Sequence, residues 1–317
     1  MDKIDFVILW VDGNDQVWLK EKCNYQNIKF NTVNRFRDFD NLQYLFRGIE
    51  KYAPWVNNIF FITYGHLPKW LDASNPKLKI ITHKEFIPHE YLPTYNSNVI
   101  EMNLHRIKDL AEQFVIFNDD LFILNKLEKL DFFENGKIKD FYIKTKKKNP
   151  SKRHILLREN NFKILNSILK NNINKPKFSF AYRKYIFNNT NNIDILNTHL
   201  TQSFLKSTYK KIWELKNDEL SLSCKNRFRG NTDIGKTIFR YYELFTNNFI
   251  PYILNGKYFY ISTNNESIFK AIKSKNYKII CINDVIEDID FEKVKKEINS
   301  NLALKFPKKS IFEKNIY

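Results

Sequence analysis

The feature that most constrains this chain is an apolar run that stops in acid. Phe114, Val115, Ile116 and Phe117 are followed at once by Asn118, Asp119 and Asp120, after which Leu121 and Phe122 resume the apolar character. Such a run reads as a buried strand, and the C-terminal ends of strands are where open α/β sheets hold ligands. Two adjacent carboxylates there offer hard oxygen ligands for Mg²⁺ or Mn²⁺, which in turn neutralise phosphate oxygens. A solvated acidic turn would use the same residues, so the tripeptide alone leaves both readings open.

The periodicity around it is that of an α/β protein. Residues 4–11 are nearly continuously apolar, as a strand covered on both faces requires, and they end at Asp12 and Gly13. Leu42, Leu45, Phe46 and Ile49 recur at helical spacing, and strands are predicted at 58–63 and 78–82. Asn98 and Glu101 form a capping box for a predicted helix bearing Leu104, Ile107 and Leu110. Strand, helix, strand, strand, helix, strand predicts a mostly parallel sheet.

Residues 123–257 read differently. Asn135 and Gly136 signal a hairpin, and helices are expected near 155–170, 199–215 and 233–246, together a largely helical insertion or lid. Strand character returns at Tyr258–Ile261 and Lys278–Ile282, the latter ending in Asn283 and Asp284. Three units are therefore expected: residues 1–122, 123–257 and 258–317.

Composition sets outer limits. With 317 residues, 43% of them hydrophobic, the chain can bury one substantial core. No stretch approaches the roughly 18 to 20 apolar residues of a membrane-spanning helix, and the N-terminus leads directly into a strand, so a cytosolic protein is expected. Cys23, Cys224 and Cys281 stand far apart without a paired motif and read as free thiols. The formal charge of +17 is largely lysine dispersed among asparagine and isoleucine, and no element suited to reading a double helix is present. Only Lys144–Arg153 is a dense basic run; it is read as a solvated loop or as a contact for anionic polysaccharide or the anionic inner face of the membrane. Nothing in the sequence speaks to oligomeric state.

Four separated stretches carry a family resemblance. They are Ile4–Asp15; Arg35–Asp40 running through Ile49–Val56 and Ile59–Thr63 to Pro68–Leu71; Tyr95–Ser97 running through Ile100, Glu101 and Leu104–Ile107 to Asn118–Asp120; and Ile282–Asp284 followed by Phe306, Pro307 and Ser310–Glu313. In that order they resemble the Stealth family of sugar-1-phosphate transferases, which includes bacterial capsule polymerases and the lysosomal-enzyme N-acetylglucosamine-1-phosphotransferase. The resemblance covers most of residues 3–122 and the final forty or so. It implies a glycosyltransferase-A-like, nucleotide-sugar-binding α/β fold with a helical insertion. The implied reaction moves hexose- or N-acetylhexosamine-1-phosphate from a UDP-sugar, such as UDP-N-acetylglucosamine, to a glycan hydroxyl, releasing UMP. A conventional metal-dependent glycosyltransferase, attacking the sugar carbon and releasing UDP, is the main rival; a non-catalytic glycan- or membrane-binding protein is the other.

Phosphoryl transfer needs positioning, neutralisation of phosphoryl oxygens and a base. Asp119 and Asp120 are the metal candidates, with Asn283 and Asp284 as further ligands. Arg35 and Arg37, and again Arg227 and Arg229, alternate around a phenylalanine; in an extended segment each pair would face one side and grip phosphate. The resemblance places an aspartate shortly after the later pair, where Asp233 stands, and its general-base histidine at His199, although Leu200 and Thr201 follow where relatives carry a small residue and a proline. Of the other five histidines, His105 lies in a family motif and is equally suited to a structural bond. Asp12 can accept hydrogen bonds from base or ribose while Gly13 permits close approach. Asp38 and Asp40 would orient the first arginine pair or touch ribose. Trp10 and Trp55 lie in apolar context and are expected in the core.

Overall fold

The computed structural model describes residues 2–26, 38–144, 152–171, 193–195, 199–284 and 290–314. Arg35 and Arg37, and all of the dense basic run except Lys144, Lys152 and Arg153, lie outside the described residues.

The main sheet has five strands, β1 (Ile4–Leu9), β2 (Ile59–Thr63), β3 (Leu78–Thr82), β4 (Gln113–Asn118) and β10 (Gln202–Leu205), in the order β10-β4-β1-β2-β3. The first four are parallel and β10 joins β4 antiparallel, so the sheet is mostly parallel, as expected. β2 is buried throughout, and β1 and β4 are buried up to their last residues, which explains their uninterrupted apolar runs. Leu9 lies opposite both Ile62 and Asn118, so β1, β2 and β4 end at one level. Everything that follows those strands emerges on one edge of the sheet.

Two covering elements matter for that edge. Helix α1 (Gln16–Gln26) follows β1, and α2 (Leu42–Tyr52) buries Leu42, Leu45, Phe46 and Ile49, the residues its periodicity predicts. Gly48 on α2 faces the carbonyl of Ile123, and a Cβ there would stand 2.7 Å from that oxygen.

After Asp120 the chain leaves the main sheet. β5 (Leu121–Ile123) pairs antiparallel with β13 (Ile279–Asn283), which pairs parallel with β12 (Gly256–Tyr260), giving a second sheet of order β12-β13-β5. This sheet packs with the C-terminal helix, Phe291–Lys305, around Phe122, Ile272, Ile280, Ile298 and Leu302. Asn118–Asp120 is thus the seam between two sheets.

The Asn135, Gly136 hairpin forms between β6 (Phe133–Glu134) and β7 (Lys137–Asp140), with φ of +52° and +74° at the two turn residues. Other expectations are corrected. The helix predicted from Asn98 spans only Ser97–Met102 (α4), because Asn103 turns its side-chain amide back to the Val99 carbonyl; Asn96, not Asn98, supplies the cap. Residues 199–215 are not one helix: β10 comes first, and a helix follows at Lys206–Leu215. Nor is the middle segment a lid laid over the core. It contributes β10 to the main sheet, and Phe162, Leu165, Tyr209 and Phe239 share one apolar cluster with β1 and β4. No helix among the described residues is long and apolar enough to cross a membrane.

Candidate active site

A cleft of about 1060 Å³ opens where the strand ends meet, and Asp119 and Asp120 stand on its floor. Asp120 is held from the second sheet. Its Oδ2 accepts hydrogen bonds from the Cys281 thiol at 3.1 Å and the Asn283 amide at 3.2 Å, while its backbone carbonyl accepts the Ile282 N–H. Burial, then the neighbouring Asp120 charge, pushes the Cys281 thiol far above its usual range, so it remains a donor. Asp120 Oδ1 is buried and has no hydrogen-bond partner. An orphaned buried carboxylate oxygen is costly.

Asp119 is placed differently. It is open to the water of the cleft, yet protein encloses it on its other sides. That enclosure, then the charges of Asp120 and Asp38, pushes its pKa up to about 7. Asp38 lines the same cleft and is itself raised, first by burial and then by Asp40 and Asp12. Asp284 also lines it. The two Asn-Asp strand ends therefore meet, although Asn283 has its amide nitrogen committed to Asp120.

These groups suit a divalent cation. The Asp120 and Asp38 charges both act on Asp119, one Asp120 oxygen lacks a donor, and all are hard oxygen ligands. Among the described residues no three acidic, histidine or cysteine side chains form a group that could hold a metal ion by themselves.

His199 is exposed, with its ring 4.8 Å from that of Tyr258; burial raises the Asp120 pKa, and the nearby His199 is among the groups that partly offset that rise. His105 is elsewhere. It packs against Tyr209 and Trp213, and burial followed by the Arg106 charge lowers its pKa to about 3, so it is no base for this cleft.

On the β1 side the lining comprises Leu9, Trp10 and Val11, with Asp12 and Gly13 one step beyond. The Asp12 N–H donates to His66 Nε2 at 2.7 Å, and Asp12 Oδ1 accepts from Asn14 N–H at 2.8 Å, so the loop is preformed. Trp10 is only 8% exposed and stacks on Phe61, yet it borders the cleft; Trp55 is partly buried, packed against the core and donating to the Leu127 carbonyl.

The opposite wall separates the later arginine pair. The chain bends at Arg227 and Phe228, so alternation does not send both guanidiniums to one side. Arg229 lines the cleft and donates to Ser97 Oγ at 2.6 Å. Arg227 turns behind the wall: its Nε donates to the Pro93 carbonyl and its guanidinium lies 4.2 Å from the Tyr25 ring centre. Asp233 is likewise behind it, 2% exposed, accepting from the side-chain amides of Asn96, Asn98 and Asn226 and from Gly230 N–H. Its carboxylate folds the loop that carries Arg229 rather than facing substrate.

Several contributors had no local signature. Glu101 lines the cleft and pairs with Lys236 at 2.6 Å, where its sequence position suggested only a helix cap. His66, Cys281 and Ser97 each act by holding a neighbour, and their partners lie far away in sequence.

Two family models match the chain: Stealth protein CR1, conserved region 1, over residues 2–28, and Stealth protein CR2, conserved region 2, over residues 35–141. The chain is 41% identical over 335 aligned residues to the capsular polysaccharide phosphotransferase WcwK of Streptococcus pneumoniae, covering 99% of both. It is 36% identical over 330 residues to the exopolysaccharide phosphotransferase cps2G of Lactiplantibacillus plantarum, covering 98% of this chain and 96% of that one. A crystal structure of the galactosyltransferase LgtC with donor and acceptor sugar analogues aligns with 97% of this chain and 98% of its own, at 10% identity and a TM-score of 0.41.

Proposed function

Because the chain belongs to the Stealth family, with full-length relatives that are capsular and exopolysaccharide phosphotransferases, we propose that it transfers a sugar phosphate in polysaccharide synthesis. In its finer form, the reading is transfer of hexose- or N-acetylhexosamine-1-phosphate from a UDP-sugar to a glycan hydroxyl, with UMP released. The observation that carries it is the cleft floor, where Asp119 and Asp120 from one strand end meet Asn283 and Asp284 from another beside His199.

In this reading the acceptor oxygen bonds to the phosphorus that bears the sugar. The bond from that phosphorus to the UMP oxygen breaks, and the sugar–phosphate linkage is kept. His199 takes the acceptor proton, which suits an imidazole whose ordinary pKa is about 6.5. Arg229 offers two parallel hydrogen bonds to phosphoryl oxygens. Asp119 and Asp120 would hold Mg²⁺ or Mn²⁺, which supplies charge neutralisation to the diphosphate. Asp120 is pre-set by Cys281 and Asn283, so the site is largely built before the donor arrives. Trp10 and Val11 line the cleft on the β1 side, where the nucleoside would lie against them with the Asp12 loop just beyond.

Phosphorus NMR of the product tests this. A phosphodiester together with UMP supports the reading, and loss of transfer in His199→Ala with donor binding kept supports the base assignment. A phosphate-free glycan with UDP released overturns it in favour of a conventional glycosyltransferase.

A further inference from the structure

Asp38 reaches the cleft from a segment that is bent and clamped from outside. Asp40 has φ of +49°, in the left-handed region that a residue with a side chain occupies only when its surroundings hold it there. Within the segment, Asp40 N–H donates to Asp38 Oδ1 at 2.7 Å, which fixes the Asp38 carboxylate against its own backbone. The clamp comes from the C-terminal helix, Phe291–Lys305. Lys295 Nζ pairs with Asp40 Oδ2, Asn299 Nδ2 donates to the Phe39 carbonyl at 2.7 Å, and Phe291 sets its ring edge-on to Phe39 at 4.9 Å.

The Asp40 side chain is 70% exposed, and neither it nor Lys295 is among the residues lining the cleft. Nor does an exposed pair of this kind add much stability. Its consequence is geometric: it holds the backbone turn that fixes the Asp38 carboxylate, and Asp38 lines the same cleft as Asp119 and Asp120. We propose that the Lys295–Asp40 pair is a latch through which the C-terminal helix sets Asp38 beside Asp119 and Asp120, making Lys295 a positioning residue for the carboxylate cluster. The inference rests on the reading of this cleft as the donor site.

The test uses the full chain with Lys295→Met, which keeps the stem and removes the charge, and Lys295→Arg, which keeps the charge. Amide hydrogen exchange over residues 38–41 reads the latch without any need for turnover; UDP binding in the presence of Mn²⁺, by calorimetry, and steady-state kinetics read its effect on the site. Lys295→Met should speed exchange at Asp40 and lower both UDP affinity and kcat/KM roughly tenfold, as loss of an outer supporting partner does, with Tm nearly unchanged and Lys295→Arg restoring most of each. Unchanged exchange at Asp40 overturns the latch, as does faster exchange with wild-type UDP binding. A fall in Tm parallel to the loss, without rescue by arginine, reduces Lys295 to a structural role and also overturns it. Wild-type protein that binds UDP with Mn²⁺ but turns over no UDP-sugar would sink the proposed reaction while the exchange and binding results still judge the latch.

Discussion

Asp119→Asn should inactivate the protein and stabilise it at the same time. The folded state raises the Asp119 pKa to about 7 through enclosure and the Asp120 and Asp38 charges, whereas in the unfolded chain it titrates near 3.8. The proton is thus held more tightly by the folded protein, and the stability this contributes is complete below about pH 4 and lost as pH rises through 7. Ionising the carboxyl in a sealed interior would cost roughly 4 kcal/mol over that range. Asp119 is open to the cleft, so solvent screens most of it, and on the order of 1 kcal/mol is the discounted figure. Asparagine carries no charge and escapes that penalty. In chelator at pH 8, Asp119→Asn should therefore melt about 2 °C above wild type, with the gap closing toward pH 5, while transfer falls by about 100-fold or more. Adding Mn²⁺ should raise the wild-type Tm and leave the variant's nearly unchanged. Thermal unfolding across pH, with and without cation, and turnover on the same preparations provide the check. A variant that melts lower than wild type at pH 8, or that keeps full turnover, would refute the argument that this carboxylate is held in an unfavourable place for function.

Other substitutions separate the wall from what lies behind it. Arg229→Lys loses the fork that meets phosphate and should cut kcat/KM on the order of tenfold with Tm kept; Arg227→Lys loses its bond to the Pro93 carbonyl and should cost about 1 kcal/mol of stability with turnover of the folded protein kept. Loss of kcat/KM with Tm kept in both variants would restore the paired-arginine reading. Asp233→Ala strands the amides of Asn96, Asn98 and Asn226, so unfolding should come at least about 3 kcal/mol more easily; unchanged stability with lost turnover would return Asp233 to the chemistry. Gly48→Ala sets the gain of about 1 kcal/mol in helix propensity against overpacking of about 1–3 kcal/mol on the Ile123 carbonyl. Denaturant titration should show a net loss of about 1 kcal/mol, with a larger fall in turnover because the strand pushed aside carries Asp120 at its start.

What the sequence disclosed and what it withheld follow from how far each interaction reaches. Strands β1, β2 and β4 are covered on both faces, and that burial writes itself into consecutive residues; the strand-end acids are therefore legible, as is the Asn135, Gly136 turn with its two positive φ angles. β10 was hidden because Gln202 and Ser203 look like helix surface and are buried only by pairing with β4. The Arg227, Phe228, Arg229 pattern suggested an extended segment; the bend that sets Arg227 aside is held by Asp233 and three asparagines, two of them from the Asn96–Asn98 turn. The supporting pairs join residues 135 apart for Glu101 and Lys236, 161 for Asp120 and Cys281, and 255 for Asp40 and Lys295. At such separations no period or spacing in the chain connects the partners.

The seam between the two sheets explains why adjacent carboxylates differ so much. Asp120 begins the turn into the second sheet, so β13 reaches it with a backbone N–H, an amide and a thiol, and its orientation is set by the fold. Asp119 is the residue at which the chain passes from one sheet toward the other; it faces the cleft, and enclosure, then the Asp120 and Asp38 charges, raise its pKa. In the proposed reading, Asp120 as the fixed carboxylate would set where a cation sits, and Asp119 beside it would offer a second hard oxygen ligand. Neither role could be filled mid-strand, where side chains alternate between two covered faces. The break between sheets is what frees two successive side chains to serve the same cleft.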